Sequence, residues 1–142
     1  MTTDYKVELQ RLPGATQFIH QRDGYWMSAS NLDVRSLAQS MQKWGARLST
    51  MTASVLPGDE LEVIYHLLLD GEAYNFKVIA QNNSLPSISS ILAAADWIER
   101  EIQDLYGVEF TNHPHPQRLI LPAQMKPGLF REMGGAPEKI RR

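Results

Sequence analysis

The sequence predicts an α+β domain: a mainly antiparallel sheet with two principal helices on one face, followed by an extended, proline-containing C-terminal segment. Apolar residues alternate along residues 61–69 and again along 74–80, with an Asp-Gly pair between the two runs, which is the pattern of a β-hairpin. They recur at helical spacing in residues 34–44 and 91–105, and a glycine lies just beyond each segment. We therefore assign residues 1–122 to a single domain and residues 123–142 to an irregular tail.

The N-terminal third is predicted to contain short strands and one helix. Residues 5–9 and 24–28 are predicted as strands. Ser30 or Asn31 is predicted to cap the first helix, and Gly45 to end it in a left-handed conformation. The apolar face of this helix consists of Val34, Leu37, Ala38, Met41 and Trp44. Residues 47–55 are rich in Ser, Thr and small apolar side chains, and we expect them to be extended.

The predicted hairpin is the strongest strand pattern in the chain. Pro57-Gly58-Asp59 turns the chain into it, and Asp70-Gly71 supplies the two-residue turn between its strands. Its core-facing residues are Leu61, Val63, Tyr65, Leu67 and Leu69 in one strand and Tyr74, Phe76, Val78 and Ala80 in the other. Residues 81–90 are polar and are expected to cap the second helix.

The second predicted helix carries an aromatic residue and several acids beside its apolar face. The stripe that must meet a core consists of Ile91, Ala94, Ala95, Ile98, Ile102 and Leu105, and Gly107 ends the helix. Glu99 and Glu101 fall on opposite margins of that stripe. Trp97 and Asp104 lie beyond Glu101, and Arg100 is four residues from an acid on either side. This arrangement is typical of a docking surface for a cationic partner.

The segment after the helix is stiffened by prolines. We expect residues 108–110 to form a short strand, residues 113–116 to be extended because a residue before proline avoids the helical region, and residues 118–121 to pair again. His113, Pro114 and His115 then form a rigid arm laid on a neighbouring chain, since proline lowers the cost of ordering on binding.

Three other interpretations remain open at this point. The imidazoles of His113 and His115 could hold a metal together with Glu109 and either Glu101 or Asp104, although the prolines make alternate side chains diverge. A free-standing enzyme could instead use Glu99 or Glu101 as general base with His113, but no nucleophile elbow or glycine-rich phosphate loop is present. A general adaptor for an unrelated cationic protein is a further alternative.

Composition excludes several classes of function. The net charge of −2, with scattered basic residues, argues against a nucleic-acid partner. Without cysteine the chain cannot form a disulfide, a thiolate zinc site or an ordinary iron–sulfur cluster. The apolar runs are shorter than the ~20 residues of a membrane crossing, and residues 1–8 lack the pattern of a targeting signal. We therefore expect a cytoplasmic protein.

Several elements of the chain resemble the 30 kDa subunit family of respiratory complex I and the related subunit of membrane-bound nickel–iron hydrogenases. The elements that carry this resemblance are Glu99-Arg100-Glu101, Asp104-Leu105-Tyr106-Gly107, His113-Pro114 and Arg118-Leu119-Ile120-Leu121-Pro122. Upstream, the resemblance extends to residues 47–53, 64–66 and 86–88, so that it covers residues 32–122. The complex I form commonly continues with a His-Pro-Leu-Arg-Lys-Asp-like stretch, which is only partly present in residues 127–132 and favours the hydrogenase branch.

The resemblance implies a structural subunit in the peripheral arm of a membrane-bound, ion-pumping redox complex. Such a subunit binds no cofactor itself, contacts the membrane only through the complex, and packs on the large catalytic subunit that forms the quinone or nickel–iron site. The iron–sulfur clusters belong to neighbouring subunits. The implied interface residues are Trp97, Glu99, Arg100, Glu101, Asp104, His113, Pro114, His115 and Arg118.

Overall fold

The computed structural model describes residues 4–115, which form a five-stranded sheet, a two-stranded sheet and three α-helices. In chain order the helices are α1 Tyr5–Gln10, α2 Val34–Lys43 and α3 Ala95–Tyr106. The strands are β1 Ile19–Gln21, β2 Gly24–Ser28, β3 Arg47–Val55, β4 Leu61–Leu69, β5 Glu72–Ile79, β6 Ser84–Pro86 and β7 Glu109–Thr111. The predicted α+β class, with a mainly antiparallel sheet and two long helices, is confirmed.

The large sheet has the strand order β1-β2-β5-β4-β3. All neighbours are antiparallel except β2 and β5, which pair in parallel and are connected through α2 and the β3–β4 hairpin. Asp70 and Gly71 both have positive φ, 52° and 79°, as a two-residue type I′ turn requires. The predicted hairpin is therefore confirmed, and β6 and β7 form a separate parallel pair.

One face of the large sheet forms the core together with the helices. Val63, Tyr65 and Phe76 are fully buried at its centre, and the buried side of α2 joins the same cluster. Short α1 packs on this face as well, where Lys6 lies 4.3 Å from the ring centroid of Tyr25. The other face is more open and exposes Leu68.

The structure corrects two predictions near the N-terminus. Residues 5–9 were expected to be a strand but belong to α1, whose N-terminus is capped by Asp4, the acceptor of a 3.3 Å hydrogen bond from the Val7 amide. The cap of α2 is Asp33 rather than Ser30 or Asn31, because its carboxylate accepts from the Ser36 amide at 3.1 Å. The predicted β2 and β3 are confirmed.

The second long helix is shorter than predicted. α3 begins at Ala95, so Ile91 and Ala94 precede it in a series of turns, and Gly107 ends it with φ 70° as expected. The short strand expected at residues 108–110 is β7, one residue further on. The predicted pairing of residues 118–121 and the irregular tail 123–142 lie outside the described residues.

Candidate functional site: the acidic helix and its buried carboxyl cluster

α3 divides its acidic and aromatic residues between the interior and the surface. Glu99 and Asp104 are buried, with 0% and 2% of their surface exposed, whereas Trp97 is 63% exposed and Glu101 is exposed beside it. The prediction that Glu99 lies on the rim of the apolar stripe is wrong: it faces inward between Ala95 and Ile102, at i, i+4 and i+7. Glu101, predicted on the other margin of the stripe, is exposed, and so is Trp97, for which the sequence left core and surface positions open.

The buried carboxyl of Glu99 fastens the segment before α3. Its Oε1 lies 2.6 Å from the Ser87 hydroxyl, and its Oε2 accepts the Ile88 amide at 2.8 Å. The Arg35 side chain of α2 donates to the Ser87 carbonyl at 2.9 Å. Glu99 therefore satisfies polar groups of an irregular buried segment, which would otherwise lose hydrogen bonds on leaving water, and ties α2 and α3 together through it.

Burial changes the acidity of this carboxyl. Loss of water raises the pKa of Glu99 to about 7, although the hydrogen bonds from Ser87 and Ile88 act in the opposite direction. The carboxylate of Asp96 raises the pKa further, and the Arg35 guanidinium lowers it. Near neutral pH the Glu99 carboxyl is thus poised between its protonated and ionised forms.

His113 closes the cluster from the segment that follows β7. Its ring is buried, and Nε2 lies 3.2 Å from the Asp96 carbonyl oxygen, 3.4 Å from Asp96 Oδ1 and 3.6 Å from Glu99 Oε1. Its Nδ1 accepts the His115 amide at 2.9 Å. Because Nδ1 is an acceptor, the ring carries its proton on Nε2, the nitrogen that faces the acids.

Asp96 connects the cluster to the surface. Its Oδ2 accepts from His115 Nδ1 at 2.8 Å, and its Oδ1 lies 3.8 Å from Arg100 Nη1 as well as near His113. Among residues 4–115, Asp96 Oδ1 has no hydrogen bond of good geometry although it is buried. Asp96 was not among the predicted site residues, and its position four before Arg100 was the available signal.

The exposed part of the site is a small patch on the outer side of α3. It consists of the Trp97 ring and the Glu101 carboxylate, which are exposed four residues apart on one side of the helix. Pro114 and His115 are also exposed, and His115 lies against Asp96. Of the other predicted interface residues, Glu99, Asp104 and His113 are interior, Arg100 pairs with Asp96, and Arg118 lies outside the described residues. The structure therefore brings part of the predicted set together at one surface.

The metal-site alternative finds no support in this geometry. No group of three His, Cys, Asp or Glu residues within positions 4–115 is arranged to hold a metal ion. His113 has no ring nitrogen with a free lone pair, since Nδ1 accepts an amide and Nε2 bears the proton. The two imidazoles are used to bind the chain to α3.

A second polar cluster on the open sheet face was missed by the sequence analysis. His66 bonds Thr52 Oγ1 at 2.9 Å and Asn75 Oδ1 at 2.7 Å, and Asn75 donates to the Tyr25 carbonyl at 3.2 Å. These bonds cross four adjacent strands, and the Trp26 ring meets His66 edge-on. Residues two apart on strands share a face, but the strand order needed to align them is not visible in the sequence.

None of the helices within residues 4–115 has the length and apolar character that a bilayer crossing requires. An exposed patch that combines an aromatic and an acidic side chain is typical of a surface that contacts another protein.

The family described as "Respiratory-chain NADH dehydrogenase, 30 Kd subunit" matches residues 27–132, and the chain belongs to this family. Among its relatives, subunit J of the NAD(P)H-quinone oxidoreductase of Synechococcus sp. (strain CC9605) is 38% identical over 49% of this chain and 46% of its own length. A protein of Sinorhizobium medicae (strain WSM419), named as a subunit of NADH-quinone oxidoreductase, is 40% identical over 44% of this chain and 32% of its own length. The matched part of the chain thus spans less than half the length of these relatives.

Two solved structures share the fold. A chain of the membrane-bound sulfane sulfur reductase, an archaeal respiratory membrane complex, superposes with a TM-score of 0.68, at 20% identity, covering 86% of this chain and 76% of that one. A trypsin-resistant fragment of Nqo5 superposes with a TM-score of 0.60, at 20% identity, covering 77% and 95%. The resemblance inferred from the sequence motifs is therefore confirmed at the level of family and fold.

Proposed function

We propose that this chain is a cofactor-free structural subunit in the peripheral arm of a membrane-bound, ion-pumping redox complex. It docks on the large catalytic subunit and is held near the iron–sulfur subunits, so that distances between electron carriers stay fixed. Its relatives carry the names of quinone oxidoreductase subunits. It is held at the cytoplasmic side of the membrane through the other subunits of the complex.

The observation that carries the proposal is the exposed patch on α3. Trp97 is 63% exposed next to an acid, and it is the aromatic member of the large apolar residues exposed within positions 4–115, the others being Val7, Ile19 and Leu68. Tryptophan is enriched at the energetic centres of protein interfaces. A partner that covers the Trp97 ring and presents Lys or Arg to Glu101 would match both groups.

The acidic character of the described part of the chain supports a basic partner surface. Residues 4–115 contain fourteen Asp and Glu against eight Lys and Arg, whereas the whole chain has a net charge of −2. Complementary charge speeds encounter and selects the orientation of docking more than it adds affinity. The catalytic alternative is not favoured: of its two candidate bases, Glu99 is 0% exposed and already bonded to Ser87 and Ile88, and Glu101 is exposed on the outer side of α3 while His113 is buried beside Asp96 and Glu99.

The test is co-purification of the tagged full chain with the large subunit of the same complex. Trp97→Ala and Glu101→Lys should each lower the amount of large subunit recovered by about tenfold, as loss of a central interface contact does. Glu60→Lys makes the same charge change at an exposed position on the β3–β4 connection and should leave recovery unchanged. Thermal unfolding of each purified variant shows that the fold is intact.

Normal recovery with both α3 variants would contradict docking through this patch. Equal losses with Glu60→Lys and Glu101→Lys would show that net charge, rather than a defined surface, governs assembly.

A further inference from the structure

The chain after β7 folds back and attaches to α3 through few bonds. His115 donates to Asp96 Oδ2, and the His113 ring enters the interior beside Asp96 and Glu99. In residues 112–115 only His113 is buried, while Asn112, Pro114 and His115 are exposed. The attachment of residues 112–115 to α3 therefore depends on the groups that surround the buried His113 ring.

Two acids face the single N–H of this imidazole. Asp96 Oδ1 and Glu99 Oε1 lie 3.4 Å and 3.6 Å from Nε2, which also lies 3.2 Å from the Asp96 carbonyl oxygen. The ring offers only this one N–H to the acids, because Nδ1 accepts the His115 amide at 2.9 Å. With both acids ionised, two negative charges would converge on one donor in a buried space.

A proton on Glu99 removes this conflict. The 2.6 Å contact between Glu99 Oε1 and Ser87 Oγ lets a protonated carboxyl donate to the serine, and Ser87 can pass its own hydrogen to Ser89 Oγ at 3.0 Å. Glu99 Oε2 keeps the Ile88 amide in either state. The neutral form of Glu99 thus keeps its contacts with Ser87 and Ile88 without a charge on this carboxyl in the interior.

We propose that Asp96, Glu99 and His113 form a proton-operated latch that holds residues 112–115 on α3 while Glu99 is protonated and releases them when Glu99 ionises. Release admits water to the carboxylate and lowers the cost of its charge. Through this latch, the pH would control whether residues 112–115, from which the chain continues, are bound to α3.

The charged and titratable groups around Glu99 fix the direction of the effect. Asp96 lies on the same helix, Arg35 on α2, Tyr65 on β4, and His113 and His115 on the closing segment; Arg100 neutralises part of the charge of Asp96. Burial raises the pKa of Glu99 from 4.5 to about 7, so the closed state binds the proton more tightly than the open one. Closure is therefore favoured below pH 7 and is lost as the pH rises through about 7.

Hydrogen exchange of the His115 amide in the full chain tests the latch, because that amide is bonded only to His113 Nδ1 in the described residues. Its protection factor should fall about tenfold from about pH 6 to about pH 8, the factor that one proton bound with a pKa of about 7 contributes over that interval. Glu99→Gln cannot ionise and retains a donor for Ser87 and an acceptor for Ile88, so its protection should change less than about twofold.

Glu101→Gln is the matched control, because it removes the same charge from the exposed side of α3 and should behave as the wild type does. Constant protection in the wild type, or an equal fall in Glu99→Gln, would overturn the latch. If Glu99→Gln does not fold, the wild type decides alone: the carbon resonance of the Glu99 carboxyl must titrate at the midpoint of the loss of protection. Nitrogen resonances showing the His113 proton on Nδ1 would also refute the proposal.

Discussion

Tyr65 carries a buried polar group that the surrounding described residues leave without a hydrogen bond. It lies at the centre of the sheet, is fully buried, and its hydroxyl has no hydrogen-bond partner within residues 4–115. Burial and, next, the negative charge of Glu99 raise the pKa of Tyr65, which keeps the phenol protonated. Its ring packs well, but the hydrogen bonds that its hydroxyl makes to water in the unfolded chain are not replaced in the folded one.

Tyr65→Phe should therefore leave the free energy of unfolding unchanged or raise it by up to about 1 kcal/mol, because the substitution removes an unsatisfied polar atom and keeps the ring. Tyr74→Phe is the control, since the Tyr74 hydroxyl donates to Glu72 Oε2 at 3.3 Å, and its loss should cost about 0.5 kcal/mol. Urea unfolding at neutral pH measures both. A loss above about 1 kcal/mol for Tyr65→Phe would mean that its hydroxyl is bonded after all.

Glu99 shows which part of the site the sequence could reveal. Its spacing from Ala95 and Ile102 is that of a core position, but the apparent start of the helix at Ile91 shifted the predicted stripe toward Ile98 and Leu105. Its partners, Ser87 and Ile88, lie in an irregular segment that no periodicity describes. Exposure of Trp97 did not follow from helical spacing alone, because Asp104, seven residues later on the same side of the helix, is buried.

The elements that the sequence predicted well are those fixed by local interactions. The β4–β5 hairpin follows from alternation and from a turn pair that accepts positive φ, and α2 follows from its apolar face. α1 was mistaken for a strand because six residues carry too little periodicity to separate the two; the contact of Tyr5 with Trp44, at 4.9 Å, is made only in the folded chain. The parallel pairing of β2 and β5 joins residues about fifty apart and has no local signal.

The β2–β5 pairing is nevertheless sensitive to one residue. Gly24 has φ 123°, and a Cβ there would lie 2.5 Å from the Ala73 carbonyl oxygen of β5. Gly58 also has positive φ, at 83°, but has nothing within 4 Å. Both positions have a positive φ that favours glycine, but only at Gly24 would a side chain also collide with a neighbouring strand.

Gly58→Ala should cost about 1 kcal/mol of unfolding free energy, the backbone penalty alone. Gly24→Ala should cost at least about 2 kcal/mol more, because a backbone atom of β5 must move to admit the methyl group. Chemical denaturation compares the two variants, and equal costs would show that β2 can shift away from β5 freely.

Apolar packing and charged groups stabilise different parts of the molecule. The helices bury the inner face of the sheet, and the carboxyl cluster fastens α2, α3 and the segment after β7 to one another. Trp97 and Glu101 remain outside this network, on the far side of the same helix. A substitution in the patch should therefore affect association without loosening the interior, and a substitution in the cluster should do the reverse.

The salt dependence of docking distinguishes the roles that we propose for the two patch residues. Affinity of the full chain for the purified large subunit should fall as the salt concentration rises from about 50 to about 500 mM, because exposed charge pairs are screened over that range. Glu101→Gln should flatten this dependence by removing one charge, with a small loss of affinity at high salt. Trp97→Ala should weaken binding about tenfold at every salt concentration, because burial of its ring is not screened. Titration calorimetry of the three proteins gives both slopes and affinities. A steeper dependence in Glu101→Gln, or a Trp97→Ala defect that disappears at high salt, would show that the patch does not meet its partner through these two contacts.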